Sequence, residues 1–466
     1  ANTTGTENVA VGYKALTTNT TANNNTAVGS SALELNTTGA ENVAIGYSAL
    51  YANTTGASNT AVGRSALASN TTGTRNLAIG HGAYDASDTE NDNLAIGYNA
   101  MTTNTAGGTN NVALGNYALD ALTSGDKNIA IGNHALGAKT TGEQNVAIGN
   151  SCQVANTGGE YNIGIGGPTM TALTTGANNI ALGHLALNAA TTQSANIAIG
   201  TSSLAATIAS NNIGIGSNAA DANTTGTRNI AIGMNSYGGS DTENDNMAIG
   251  FQAMTVNTAG GTRNIAIGNY NLDALTSGDD NVAVGYEAMT DNTTGGANVA
   301  VGAYALDTNT TGDNNVAVGK VALGANTTGA GNTAVGYASL DANTTADNNT
   351  AVGLRALSAN TTAANNTAVG MNAMLVSSTG ADNVAVGFSA LVANTTGGDN
   401  VGIGSQALLA NTTGEDNVSI GTDSLQANTT GSDNVAVGKD ALLVNTTASK
   451  NTAVGNNAGI ENTTGS

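Results

Sequence analysis

The chain has 466 residues and a formal net charge of −21, from 11 Lys and Arg against 32 Asp and Glu. Aromatics make up 3% and charged residues 9%, with Gly 63 and Trp 0, which excludes a conventional thick core of large side chains. No basic stripe offers itself to nucleic acid, no run of roughly 18 apolar residues suits membrane insertion, and Val, Ile and Thr spread too evenly for disorder.

One unit recurs from the start of the chain. It is Asn-Val-Ala-Val-Gly, two variable residues, Ala-Leu, two more variable residues, Asn-Thr-Thr-Gly and a final variable pair. Its opening Asn falls at Asn8, Asn25, Asn42 and onward to Asn451, giving 27 units. The interval is 17 residues, with 18 from Asn93 to Asn111 and from Asn246 to Asn264, and 16 from Asn196 to Asn212. No linker interrupts the series, so residues 1–466 are expected to form a single repeat array. A nine-coil block is superimposed on it, because residues 73–125 are repeated at 226–278.

Seventeen residues are too few for a helical-hairpin repeat or a propeller blade and suit one turn of a β-solenoid. In the first unit Val9 and Val11 flank Ala10 with the alternation of a strand, and Gly12 bends the chain. Asn-Gly and Asp-Gly, the strongest hairpin signals, never occur. The expected fold is therefore all-β, a parallel β-solenoid or β-roll, each coil rising about 4.8 Å so that the coils make a rod on the order of 130 Å long.

Each column of the repeat implies a task. The fifth position is Gly in every unit, which calls for positive φ or an approach too close for a Cβ. The fourth is always Val, Ile or Leu, and is expected to face the interior together with the second. That second position admits a hydroxyl at Thr26, Thr60, Thr333, Thr350, Thr367 and Thr452. The ninth, mostly Leu, Met or Tyr, is expected to fill the same core from the second side. The opening Asn suits a turn cap and a ladder of side-chain amides. The expected structural ladder is exemplified by Asn8, Val11 and Gly12, by Asn128, Ile131 and Gly132, and by Asn332, Val335 and Gly336. The third position, nearly always Ala, points the other way, against either the second half of its own coil or a neighbouring subunit.

Asn42-Val-Ala-Ile-Gly46, Asn128-Ile-Ala-Ile-Gly132 and Asn145-Val-Ala-Ile-Gly149 resemble the head repeats of trimeric autotransporter adhesins. The unit from Asn332-Thr-Ala-Val-Gly-Tyr337 to Asn343-Thr-Thr345 is similar to repeats upstream of the chaperone domain in bacterial and phage tail-fibre proteins. The resemblance implies a left-handed roll, a homotrimer and a place at the cell or virion surface. The adhesin repeat is usually shorter, and no stalk, membrane anchor or fibre chaperone domain is present in the sequence.

These readings converge on a non-enzymatic, extracellular fibre or filament segment, without catalytic or cofactor-binding residues. Its partners would be itself, as homotrimer or head-to-tail filament, and surface glycans or a host cell. Head-to-tail stacking is suggested by Asn2-Thr-Thr-Gly5 and Asn462-Thr-Thr-Gly465, which stand in the same phase. An ice-binding protein using Thr ladders is the alternative from another class. Asn-Thr-Thr makes Asn19, Asn36, Asn53 and Asn309 candidate glycan acceptors. Asp88, Glu90 and Asp92, with Asp241, Glu243 and Asp245, offer oxygens to calcium without an EF-hand spacing. His134 with Cys152 is a candidate metal pair against a reading of surface His and buried thiol. Tyr13, Tyr47, Tyr98, Phe251, Tyr286, Tyr337 and Phe388 follow the corner Gly, where exposed rings stack on sugars.

Overall fold

The computed structural model describes residues 3–257 and 259–464, so Ala1, Asn2 and Gly465 of the terminal motifs lie outside the described residues. The chain is described as two compact units, Ala1–Asn229 and Ile230–Ser466, with the boundary inside a repeat. The first unit carries thirteen three-residue strands, β1 (Val9–Val11) to β13 (Ile213–Ile215); the second carries fourteen, β14 (Ile230–Ile232) to β27 (Thr452–Val454). Among the described residues there is no helix.

Within each unit successive strands pair in parallel with like position over like, as in Val9 on Thr26, Ala10 on Ala27 and Val11 on Val28. Register survives the irregular intervals, since Leu94 still pairs with Val112, Met247 with Ile265 and Ile197 with Ile213. The extra residue of the long coils is taken up in a bend where Gly107 and Gly260 adopt φ of 105° and 109°. Each unit is a parallel β-solenoid with a 17-residue repeat, and the chain is accordingly a β-solenoid repeat protein.

The second side of each coil is also a ladder, through bonds such as Leu33 N to Ala49 O at 3.0 Å. It is not a regular strand. The seventh and ninth positions are left-handed, for example Ser31 at φ 59° and Leu33 at φ 52°. For non-Gly residues that conformation costs about 1–2 kcal/mol each, which hydrogen bonds between neighbouring coils help to offset.

The corner Gly needs both properties its column suggested. Gly12, Gly132 and Gly336 have φ of 131°, 140° and 137°, and an added Cβ would stand 2.6, 2.4 and 2.4 Å from the carbonyl oxygen of the corner Gly one coil on.

The sidedness of the strand is the reverse of expectation. Ala44 is fully buried, whereas Ile45 beside it is 41% exposed. The third-position Ala of each coil meets the eighth-position Ala and ninth-position Leu of the second side, and these small residues with one Leu make the core. Val11, Ile131 and Val335 therefore line the outer face, not the interior. The physical reason is room: at the third position even a Cβ added to Gly402 would stand 3.0 Å from Leu391 Cδ1 of the second side, so small residues fit there and Val or Ile do not. Of the two covers foreseen for the third position, the coil's own second half is the one present. Thr at the second position is explained as well, because its side chain meets the outside.

Candidate functional site

The outer sheet face is a candidate assembly site. Its fourth-position column is aliphatic in every one of 27 coils. Exposed members include Ile45, Ile79, Leu114, Ile165, Val301, Val352 and Ile420. The thirteen strands of the first unit give a strip about 60 Å long and 10 Å wide, roughly 600 Å², at ordinary strand spacing. The strip is only partly open to water, its exposed members showing about two fifths of their surface, as Ile45 does at 41%.

Two columns of buried Asn run behind this face. Asn42 N donates to Asn25 Oδ1 at 2.9 Å and Asn42 Nδ2 to Gly56 O at 2.9 Å. Asn53 Nδ2, from the second column, donates to the same Gly56 O at 2.9 Å and to Asn36 Oδ1 at 2.8 Å. One carbonyl thus ties both amide ladders together. Asn128 and Asn332 repeat the pattern, with N donating to Asn111 Oδ1 and Asn315 Oδ1 at 2.9 Å each. Asn8 opens the first column, its Oδ1 accepting from Asn25 N at 3.0 Å.

The second column is also the sequon column, and in the folded chain its candidate acceptor amides are turned inward. Asn19, Asn36, Asn53 and Asn309 have no exposed surface. The nitrogen a glycan would occupy donates instead to Ala22 O at 3.1 Å from Asn19, Gly39 O at 3.0 Å from Asn36 and Gly312 O at 3.0 Å from Asn309. The middle residue of each sequon is engaged as well, Thr37 Oγ1 donating to Thr54 O at 2.9 Å and Thr54 Oγ1 to Thr71 O at 3.1 Å. The Thr that completes the sequon, such as Thr38 or Thr55, is not turned inward and faces out.

One position of the sequon column holds a cation. Lys139 stands where Asn is usual, is fully buried, and donates from Nζ to Asn156 Oδ1 at 3.2 Å and to Gly159 O. Burial pulls its ammonium down to about 8, with Glu160 acting weakly the other way. In another coil Ser87 replaces the Asn, and the hydroxyl of buried Tyr84 fills the gap by accepting from Asn93 Nδ2 at 2.5 Å and Asn104 Nδ2 at 2.9 Å.

The acidic clusters are structural in the same way. Glu90 is 2% exposed, its Oε2 accepting from Asp88 N at 3.0 Å and Thr89 N at 3.1 Å, and its Oε1 from Gly107 N at 3.1 Å. Glu243 accepts from Asp241 N, Thr242 N and Gly260 N, each at 3.1 Å. Asp92 leaves that group to pair with Arg75. His134 is exposed and stacked on Tyr117, while Cys152 is buried, with its thiol pushed up to about 12 by burial. Among the described residues no three His, Cys, Asp or Glu side chains gather in a metal-holding group.

The aromatic row is denser than one column suggested, because seventh-position rings interleave with those at the sixth. His81, Tyr98, Tyr117 and His134 form one ladder over four successive coils, with centroids 5.3, 5.4 and 4.8 Å apart. Phe251, Tyr270, Tyr286 and Tyr304 form another, at 5.4, 6.1 and 5.6 Å. Reading the sixth and seventh columns together was the available signal. Half-buried acids stand at the tenth position, and burial raises the carboxyls of Asp85, Asp120, Asp307 and Asp341. Asp273 reaches about 6, by burial and then by repulsion from Asp291. Tyr304, Asp307, Val321, Gly324 and Asp341 enclose a shallow recess of about 340 Å³.

No protein-family model matches the chain, and no curated protein matches it. Its class rests on the repeat and the fold: a β-solenoid repeat protein with an outward aliphatic ladder.

Proposed function

We propose that the chain is a non-enzymatic structural segment of an extracellular fibre, at a cell or virion surface, assembled side by side with copies of itself through the outer sheet face. One observation carries this reading. A column that points away from the core holds Val, Ile or Leu in all 27 coils, whereas a solvated strand face fills with polar residues. A partner surface accounts for that composition, and a second identical column is the simplest complement, since β-branched ladders interdigitate without buried polar groups. The resemblance to adhesin heads and tail-fibre repeats agrees, with the homotrimer as its specific form.

The test is negative-stain electron microscopy of the purified chain. Elongated particles of uniform width, wider than one coil, are expected; globular particles would contradict the reading.

A further inference from the structure

We propose that the two aromatic ladders are binding platforms for an extended, neutral, hydroxyl-rich glycan lying along the stacking direction and packing on the ring faces that no neighbouring ring covers, since adjacent rings are either stacked, as Tyr117 on His134, or edge-on, as Phe251 to Tyr270. The rings are spaced by the sheet itself, at centroid separations of 4.8 to 6.1 Å, comparable to the length of one pyranose residue. Pyranoses offer flat C–H faces that pack on aromatic rings and a rim of hydroxyls that need acceptors. The acceptors are beside the rings. His81 and His134 act on the carboxyls of Asp85 and Asp120, drawing them down against the effect of burial, and Asp307 and Asp341 share the recess with Tyr304. Nucleic acid also stacks on such rings, but it needs a positive groove, and carboxylates flank this one.

The two ladders are not simple copies. Tyr98 and Tyr117 correspond to Phe251 and Tyr270 in the duplicated block, but His81 and His134 correspond to Met234 and Glu287. Tyr286 and Tyr304 in turn correspond to Asn133 and Ser151. Block duplication supplies two rings, and each ladder reaches four through substitutions of its own.

The experiment is affinity electrophoresis of the full chain in gels containing hydroxyethylcellulose, xylan, galactomannan or dextran, followed by a tyrosine-fluorescence titration with an oligosaccharide of the retarding polymer. With Trp 0 and Tyr 12, the emission comes from tyrosine. The intact chain should be retarded in at least one gel. The double variant Tyr286→Ala, Tyr304→Ala should bind about tenfold more weakly, as loss of two stacking contacts implies. Tyr286→Leu with Tyr304→Leu, which keeps apolar bulk, should lose retardation at an unchanged melting temperature. Mobility unaltered in every gel, equal retardation of the variants, or binding only to a polycation and abolished by salt would each overturn the proposal. The fibre reading stands apart from all of these outcomes.

Discussion

The sulfur of Cys152 lies 2.7 Å from where a Cβ on Gly164 would stand. Gly164 occupies a third position, otherwise nearly always Ala, and it faces an eighth position where Cys replaces Ala. Gly214 has the same relation to Ser203 Oγ, at 2.5 Å. In these two places the larger eighth-position residue is matched by a smaller third-position one in the next coil, so that the close-packed core keeps its volume.

Gly164→Ala should therefore destabilise the first unit by about 1–3 kcal/mol through overpacking. Cys152→Ala in the same chain should recover part of that loss, with a coupling of about 1 kcal/mol in a double-mutant cycle. Urea unfolding of the four chains measures it, and strictly additive effects would separate the two residues.

Tyr84→Phe removes the hydroxyl that accepts from Asn93 and Asn104. Both amides keep Gly108 O, at 2.9 and 2.8 Å. The expected cost is about 1–3 kcal/mol for the unfilled hydrogen-bonding capacity of a buried site. Calorimetry should show a lowered melting temperature, with the coil intact by circular dichroism.

Lys139 gives stability an alkaline dependence. Its folded value of about 8 lies below the ordinary 10.5, so between those values the unfolded chain binds the extra proton and stability rises with pH. Below pH 8 the strain is fully present, on the order of 3 kcal/mol. Lys139→Asn, which restores the amide ladder, should raise stability at pH 7 and flatten the profile from pH 8 to 10.

The tenth-position acids act in the acidic range. Their carboxyls are raised in the fold, Asp273 to about 6, so the folded chain binds more protons there and stability should rise as pH falls from 7 to 5. Below the ordinary carboxylate range the trend reverses. Asp92 and Asp280, held down by hydrogen bonds from Arg75 and Arg263, are then protonated and lose their pairing. Melting temperatures from pH 7 to 3 should pass through a maximum, and Asp273→Asn should blunt the rise.

Much of this was legible in the sequence because a solenoid repeats its physics: the 17-residue period, the corner Gly, parallel register and inward Leu at the ninth position all follow from columns. Sidedness was not. Val9, Ala10 and Val11 are all apolar, so alternation shows that Ala10 opposes its neighbours but not which side is inside. Ordinary hydrophobic reasoning puts the larger residue inward, and the narrow coil inverts it. Asn19 and Asn36 satisfy a sequon in sequence, yet burial depends on which way the turn folds, which the motif does not carry. Lys139, Ser87 and Glu90 were anomalies within otherwise regular columns, and each marks a place where one side chain replaces the contacts of another.

The outward ladder as an assembly face is tested most directly by sedimentation equilibrium of the intact chain beside a variant carrying Ile131→Lys and Ile148→Lys. The intact chain should sediment at an integral multiple, two or more, of 45.4 kDa, and the variant should shift toward a single chain while keeping its β circular dichroism. A single-chain mass for the unaltered protein at micromolar concentration, or an unchanged multiple for the variant, would contradict the account.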